Sequence, residues 1–556
     1  MALQQTNLLF IIFDDLRPEL KVYGREHMIT PNFDRLAKRS VIFDNAHTMI
    51  AVCNPARDAL MTGLRPDTTG TYAFQTSFQP HIIFPTQLAR SGYNTAGFGK
   101  VLHWEGNDRN IWSFDSWEND WYTYQNNERN FMNSSTMPDK TRREDEFRDH
   151  QFTTRAIECL HRLLKEPKYF MLGVGFKNPH LAQHVPYKYY DMYRGKEASW
   201  HLTKKELRFP ISAPEVSYRC CAEPHFMFMN EHGSKKAKDT KFVNTPDNIN
   251  HAYSEQMHDE LMLGYCALIS FVDTQLGRIL DELDRLDLWK NMTVVLTADH
   301  GMHNGEKGIW EKWSLFDEST RVPLFISHPQ SPFGGEHYLG PVESVDVYAT
   351  VQDLLGASFD KKSYCHKGDI CHPLQGKSLA PIVVPAFRRK NDNVKFLPLP
   401  TTELINVVRD TSDAIKFKND FSVSQNYRCA PKQKVADLKV AREKSKDAKR
   451  EHIWFDCDRN SNNANEMSVM GYSMRTLDFR YTAWFHYNRA KAIPIVDVSP
   501  FEEELYDHRN ETLTDFTHRE LVNLAHKPAY VKVARSYRDR LVQFIKQHVV
   551  FRGPFK

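Results

Sequence analysis

The sequence predicts an α/β protein: a large, mainly parallel mixed sheet sandwiched by helices, followed by a smaller C-terminal α+β domain built on an antiparallel sheet. Three observations predict it. Continuous apolar runs of strand length recur, each stopping at a polar cluster, as expected of strands covered on both faces. Helical patterns lie between them, and alternating strand and helix implies a parallel sheet with helices on both sides. From about Pro398 the texture changes to aromatic-rich segments that read as antiparallel strands.

The first run, Asn7 to Phe13, stops at Asp14-Asp15. Next comes Cys53-Asn54-Pro55-Ala56-Arg57, read as the start of a helix with Pro55 at its first position and Gly63 at its end. Cys53 then sits at a helix N-terminus, where unpaired N–H groups favour an anion, and Arg57 one turn on adds a fixed positive charge. Thr95 to Phe98 leads to Gly99-Lys100 and His103, and Tyr169 to Phe176 leads to Lys177-Asn178-Pro179-His180. Leu261, Tyr265, Leu268, Val272, Leu276, Ile279 and Leu283 mark one face of a helix. Thr293 to Ala298 then runs into Asp299-His300-Gly301. In sheets of this kind ligands bind beyond the carboxyl ends of the strands, so these distant clusters are expected to share one site.

Two domains are expected, residues 1–397 and 398–556. In the second, Gly471 to Thr476 and Arg480 to Phe485 read as neighbouring antiparallel strands, and Tyr530 to Val549 as an amphipathic helix. Pro431 to Arg450 carries eight Lys/Arg against three Asp/Glu and reads as a solvated insert. The 556 residues are 41% hydrophobic and 26% charged, with no apolar run long enough to span a membrane. A net charge of +3 is too mild to argue for nucleic acid, yet it suits an anionic polysaccharide.

Asp14, Asp15 and Asp299 make an oxygen-rich, anionic site whose hard ligands suit Ca²⁺ or Mg²⁺, while His300 also admits Zn²⁺. Taken singly, each aspartate serves equally well as a turn or helix cap after a strand. Taken singly, Cys53 is an ordinary buried cysteine.

The Cys-x-Pro-x-Arg pattern at Cys53 to Arg57 does not stand alone. With it go Asp14-Asp15-Leu16-Arg17-Pro18, Arg65-Pro66-Asp67-Thr68-Thr69, Gly99-Lys100-Val101 with His103, Pro179-His180 and Asp299-His300-Gly301. Gly305-Glu306, Trp310 with Lys312, Met470-Gly471-Tyr472-Ser473 and Arg475-Thr476 complete the set. In these motifs the chain resembles the sulfatases of the alkaline phosphatase superfamily over nearly its whole length. Within that family it is most similar to members acting on 2-O-sulfated iduronate of heparan and dermatan sulfate.

The resemblance implies that Cys53 is oxidised to formylglycine (3-oxoalanine) by the formylglycine-generating enzyme and hydrates to a gem-diol that attacks sulfur. It implies one Ca²⁺ held by Asp14, Asp15, Asp299, His300 and residue 53. Arg57, Lys100 and Lys312 would stabilise charge, His180 with Lys312 would protonate the departing sugar oxygen, and His103 would deprotonate the second hydroxyl. A sulfated glycosaminoglycan or other sulfated carbohydrate is the implied substrate, and a lysosomal or secreted location the implied setting. Ala56 and Leu64 depart from the family's usual Ser and Arg, and Arg459 is the candidate contact for a uronate carboxylate. A different carbohydrate specificity, a phosphodiester or phosphonate hydrolase of the same superfamily, and a non-catalytic homologue stay open.

Of nine cysteines, conversion of Cys53 leaves eight, which permits disulfides; Cys365–Cys371 and Cys429–Cys457 are the expected pairs. Asn133, Asn291 and Asn510 begin glycosylation sequons. Only six residues precede the first apolar run, and no signal peptide is expected within the chain.

Overall fold

The computed structural model describes residues 4–73, 82–103, 111–117, 136–181, 183–203, 206–218, 255–310, 312–356, 372–388, 396, 420–429, 467–488, 491, 493–509 and 519–548. Its large sheet contains β1 (Asn7–Asp14), β2 (Val41–Phe43), β3 (Asn94–Gly99), β4 (Asp115–Trp117), β5 (Phe170–Pro179), β6 (Met292–Ala298), β7 (Leu324–Ser327) and β8 (His337–Tyr338). The order across the sheet is β8-β2-β7-β6-β1-β5-β3-β4. The central β1 pairs in parallel with β5 and β6, and β3 continues the parallel run; β7 alone is antiparallel to its two neighbours. The sheet is therefore mixed and mainly parallel, as expected.

The principal helices are α1 (Pro31–Ala37), α2 (Cys53–Thr62), α3 (Phe84–Arg90), α4 (Arg148–Leu163), α5 (Glu255–Arg285) and α6 (Val531–His548). Phe10 of β1 meets Phe84 of α3 edge-on at 5.1 Å, and Phe13 meets Phe33 of α1 at 5.3 Å. Phe10 and Phe13 are three residues apart, so they point to opposite faces and helices cover both. That is why β1 can be apolar without alternation: each fully buried Leu, Ile or Phe contributes roughly 1.5–3 kcal/mol, and all eight of its residues are buried.

β9 (Ser422–Cys429), β10 (Met467–Arg475), β11 (Phe479–Asn488) and β12 (Glu502–Asp507) form the separate antiparallel sheet, joined by the short Ile493–Pro494. Leu541 and Ile545 of α6 belong to the same core as Met474 and Tyr481. Ile50, Val52 and Trp313 from the large unit share this core, so the second sheet packs beside the start of α2. Arg65 joins the two by donating to the Val423 carbonyl at 3.1 Å and lying 4.7 Å over the Phe544 ring.

Two local expectations need correction. Helix α2 begins at Cys53, so Pro55 is its third residue and not its first. The first intrahelical bond runs from Ala56 N–H to Val52 C=O, 2.9 Å, and a missing N–H is harmless anywhere before that point. Gly63 closes the helix in the left-handed conformation, as expected. The strand expected to stop at Phe176 continues to Pro179, because Asp14 at the end of β1 pairs with Pro179 across a register shift. The expected boundary at 397/398, Arg459, the insert 431–450, Asn133, Asn510 and Cys220, Cys221, Cys365, Cys371 and Cys457 lie outside the described residues. Cys159 and Cys266 are buried free thiols, as is Cys53.

Candidate active site

The strand ends converge. Asp14 closes β1, Lys100 follows β3, His180 follows β5 and Asp299 follows β6, while α2 brings Cys53 and Arg57 to the same place. None of Asp14, Asp15, Cys53, Arg57, Lys100, His103, His180, Asp299, His300 or Lys312 is more than 9% exposed. Asp15 turns away from β1 with φ 63°, an uncommon conformation for a residue other than glycine. It is held there by two bonds: its N–H donates to Asp299 Oδ1 at 3.2 Å, and its carbonyl accepts from Tyr265 Oη at 2.8 Å.

Lys100 owes its position to two glycines. Gly99 has φ 71°, and a Cβ there would come within 2.2 Å of the Gly175 carbonyl oxygen. A Cβ on Gly175 would lie 2.0 Å from the Lys100 carbonyl carbon. β3 and β5 can approach this closely only as glycines, and Lys100 N–H then bonds the Gly175 carbonyl at 2.8 Å.

Charge is balanced inside the cluster. Arg57 Nε donates to Asp299 Oδ2 at 2.9 Å, and its Nη2 lies 3.7 Å from Asp14 Oδ1. Lys100 Nζ pairs with Asp14 Oδ2, and Lys312 Nζ reaches both Asp15 oxygens at 2.8 and 3.1 Å. Burial pushes the Asp14 carboxyl up, but Lys100, His180, Arg57 and Lys312 together hold it well below the usual range. Burial pushes Asp299 up to about 7, with Arg57 opposing and Asp14 reinforcing the shift. Burial and the neighbouring Asp14 also hold the Cys53 thiol well above its ordinary value, so the sulfur carries a proton at neutral pH.

His300 and His103 are neutral for a related reason. Burial lowers His300 to about 4, against the pull of Asp15. Its Nδ1 is 2.9 Å from the Gly301 carbonyl, which requires the proton there and turns the Nε2 lone pair toward Cys53 Sγ at 3.3 Å. Burial and then Lys100 push His103 well down, leaving an imidazole able to accept a proton. His180 Nδ1 donates to the Leu181 carbonyl at 2.5 Å.

Ligand atoms of Asp14, Cys53, Asp299 and His300 lie within 4.8 Å of one another, and those of Asp15, Cys53 and His180 form a second such group. Asp15 thus stands slightly apart from the other expected ligands, toward Lys312. Asp14 Oδ1 is buried and accepts no hydrogen bond, an arrangement costly for a carboxylate and relieved by a cation. The donor set fits a hard, oxygen-seeking ion.

Two contributors carry no sequence signal of function. Tyr265 reads as one more core position on α5, yet its hydroxyl holds the Asp15 carbonyl. Asp149 of α4 accepts the N–H groups of Lys177 and Asn178, both at 3.0 Å, and so holds the end of β5 that leads into His180. His303 is also buried nearby, bonded to Ser314 Oγ at 2.8 Å.

The sulfatase family model matches residues 6–357. The chain is 29% identical to iduronate 2-sulfatase of Mus musculus over 510 residues, covering 87% of this chain and 85% of that one. It is 27% identical to the Homo sapiens enzyme of the same name over 508 residues, with the same coverage. Among solved structures, a phosphonate monoester hydrolase from Silicibacter pomeroyi superposes with a TM-score of 0.64 at 17% identity, covering 98% of this chain and 96% of that one, and shares the fold. With the family's match extending over most of the large unit and its strand-end clusters gathered in one buried site, the chain belongs to the sulfatase family.

Proposed function

We propose that the protein hydrolyses sulfate esters with a formylglycine made from Cys53, and that its substrate is the 2-O-sulfate of iduronate in heparan or dermatan sulfate. One observation carries the reading: three carboxylates, three cationic side chains and a neutral imidazole surround residue 53 at a helix N-terminus. Such a site receives an oxyanion and places a nucleophile against it.

Asp14, Asp15, Asp299 and His300 would hold the cation, for which Ca²⁺ is the best fit to the oxygen donors. When bound, it supplies Lewis-acid polarisation of a sulfate oxygen. Arg57 and Lys100 neutralise charge on the oxygens around sulfur and around residue 53. His180, with Lys312, delivers a proton to the departing sugar oxygen, and His103 takes one from residue 53. A hydrated aldehyde suits the task because its second hydroxyl allows release of sulfate without water attacking sulfur.

Iduronate is favoured over other sugars because the similarity to the two iduronate 2-sulfatases spans 87% of the chain and so reaches into the second sheet. A sulfated glycosaminoglycan as substrate, the formylglycine-generating enzyme as maturation partner and a lysosomal or secreted location go with this reading. No helix among the described residues is long and apolar enough to cross a membrane.

Digestion of oligosaccharides sulfated at single defined positions tests the proposal. Release from terminal 2-O-sulfated iduronate is expected. Activity confined to 6-O- or N-sulfated glucosamine would defeat the specificity, and a clear preference for phosphate or phosphonate esters would defeat the sulfatase assignment.

A further inference from the structure

We infer that Arg428, on the first strand of the antiparallel sheet, is a positioning residue for Lys312, so that the active site is completed by the second sheet. The inference rests on the role proposed above for Lys312.

Lys312 bonds Asp15 and its side chain is wholly buried. The next residue, Trp313, has φ 59°, a left-handed conformation that is an outlier for so bulky a side chain. Such a conformation persists only where its surroundings hold it. Two hydrogen bonds to its backbone do so. Trp313 N–H donates to the Ala51 carbonyl at 3.1 Å, two residues before Cys53. The Trp313 carbonyl accepts from Arg428 Nη2 at 2.8 Å.

Arg428 is itself rigid. Its Nη1 donates to the Tyr427 carbonyl at 2.9 Å, its Nε to the Val216 carbonyl at 3.2 Å, and its guanidinium lies 5.3 Å over the Trp484 ring, all at 0% exposure. The same strand grips the chain leading to the nucleophile. Ser424 Oγ donates to the Thr48 carbonyl at 2.6 Å, and Gln425 N–H to the Met49 carbonyl at 2.7 Å. β9 therefore holds both the segment that ends at Cys53 and the turn that carries Lys312, and Trp313 links them. Lysine could not replace this fork: the planar guanidinium serves three carbonyls at once, where an ammonium on a flexible stem is a single point charge.

The test compares Arg428→Gln and Arg428→Lys with the parent protein. The first readout needs no activity: brief amine acylation of the folded protein followed by peptide mass spectrometry. Lys312 is expected to be labelled several-fold faster in Arg428→Gln and less so in Arg428→Lys, while the equally buried Lys307 stays protected. Unchanged protection of Lys312, or equal gains at Lys307, would overturn the inference. The second readout is a double-mutant cycle on sulfate release. Arg428→Gln is expected to lower kcat by about 10- to 100-fold, the scale of a misplaced catalytic group. In a Lys312→Ala background it should add nothing. Independent, multiplying losses would also overturn it. If the parent itself releases no sulfate, the sulfatase reading fails, and the labelling result decides the positioning role alone.

Discussion

His300 presents Nε2 to the Cys53 sulfur at 3.3 Å while Nδ1 is spent on the Gly301 carbonyl at 2.9 Å. The backbone thus decides the tautomer, and residue 53 faces a lone pair and not a proton. With the thiol held protonated by burial and by Asp14, unmodified Cys53 is a poor nucleophile, so activity should track conversion to the aldehyde. Cys53→Ala is expected to abolish turnover, a loss of about 10⁴-fold or more when a nucleophile is removed, with little change in the unfolding midpoint. Sulfate release and the formylglycine content of the parent, by peptide mass spectrometry, check this together. Full activity in a preparation carrying only the thiol would contradict it.

Removing the cation should be visible without an assay of turnover. Ca²⁺ binding to the folded state alone at about 100 times its Kd stabilises by about 2.7 kcal/mol. A thermal melt of chelated protein is expected to shift upward on adding Ca²⁺. Asp14→Ala should lose that shift, because Asp14 Oδ1 accepts no hydrogen bond and Asp14 clusters with Cys53, Asp299 and His300. An identical Ca²⁺ response in the variant would remove Asp14 from the ligand set.

The strand-end clusters were legible because a strand buried on both faces must be apolar throughout, so Asp14, Lys177 and Asp299 stand out against β1, β5 and β6. The antiparallel neighbours β10 and β11 were legible from their aromatic alternation. The supporting groups were not. Tyr265 satisfies the helical pattern of α5 with its ring and does its work with its hydroxyl, which no periodicity detects. Asp149 looks like an ordinary acidic residue in the first turn of α4. Arg428 lies in a strand, and only tertiary packing turns its side chain onto the Trp313 carbonyl. The pairing of Lys100 with Asp14 depends on how closely β3 and β5 approach, which the two glycines permit but do not announce.

Asp149 makes a pH prediction with a definite sign. Burial raises its carboxyl to about 6, opposed by the Lys177 and Asn178 N–H groups and the Lys177 charge, with Asp14 adding to the rise. The ordinary unfolded value is about 3.9. Between these values the folded state binds more protons than the unfolded state, so stability is fully present below about 4 and is lost as pH rises through about 6. This group alone contributes a difference of roughly 3 kcal/mol, since each tenfold change in proton affinity is worth about 1.4 kcal/mol. Asp149→Asn should flatten the stability profile across that window, read by urea unfolding at a series of pH values. It should also lower kcat more than substrate affinity, since the end of β5 that it holds leads into His180. An unaltered slope would mean that Asp149 does not titrate there.

The two sheets are tied together by a buried knot of charge five residues beyond Lys312. Asp317 receives Arg519 Nη1 at 2.9 Å, Arg475 Nε at 3.4 Å and Arg480 Nη2, while its N–H donates to Glu520 at 3.0 Å. His508 Nε2 lies 3.1 Å from the same glutamate. The three acidic and imidazole groups are close enough to suggest a second metal centre, but three guanidiniums already fill the carboxylates, and an added cation would meet only repulsion. The knot is structural, and it is vulnerable at Asp317. Asp317→Asn would leave three buried arginines sharing one remaining carboxylate, Glu520. Removing one partner of a buried pair costs about 3–5 kcal/mol because the stranded charge keeps its desolvation penalty. The exposed pair Arg35–Asp281, by contrast, should be far less sensitive, since solvent screens it. Calorimetry of Asp317→Asn is expected to show a much lower midpoint, with the second sheet melting ahead of the first. If the midpoint moves no more than it does for Asp281→Asn, the arginines find other partners and the knot does not hold the sheets together.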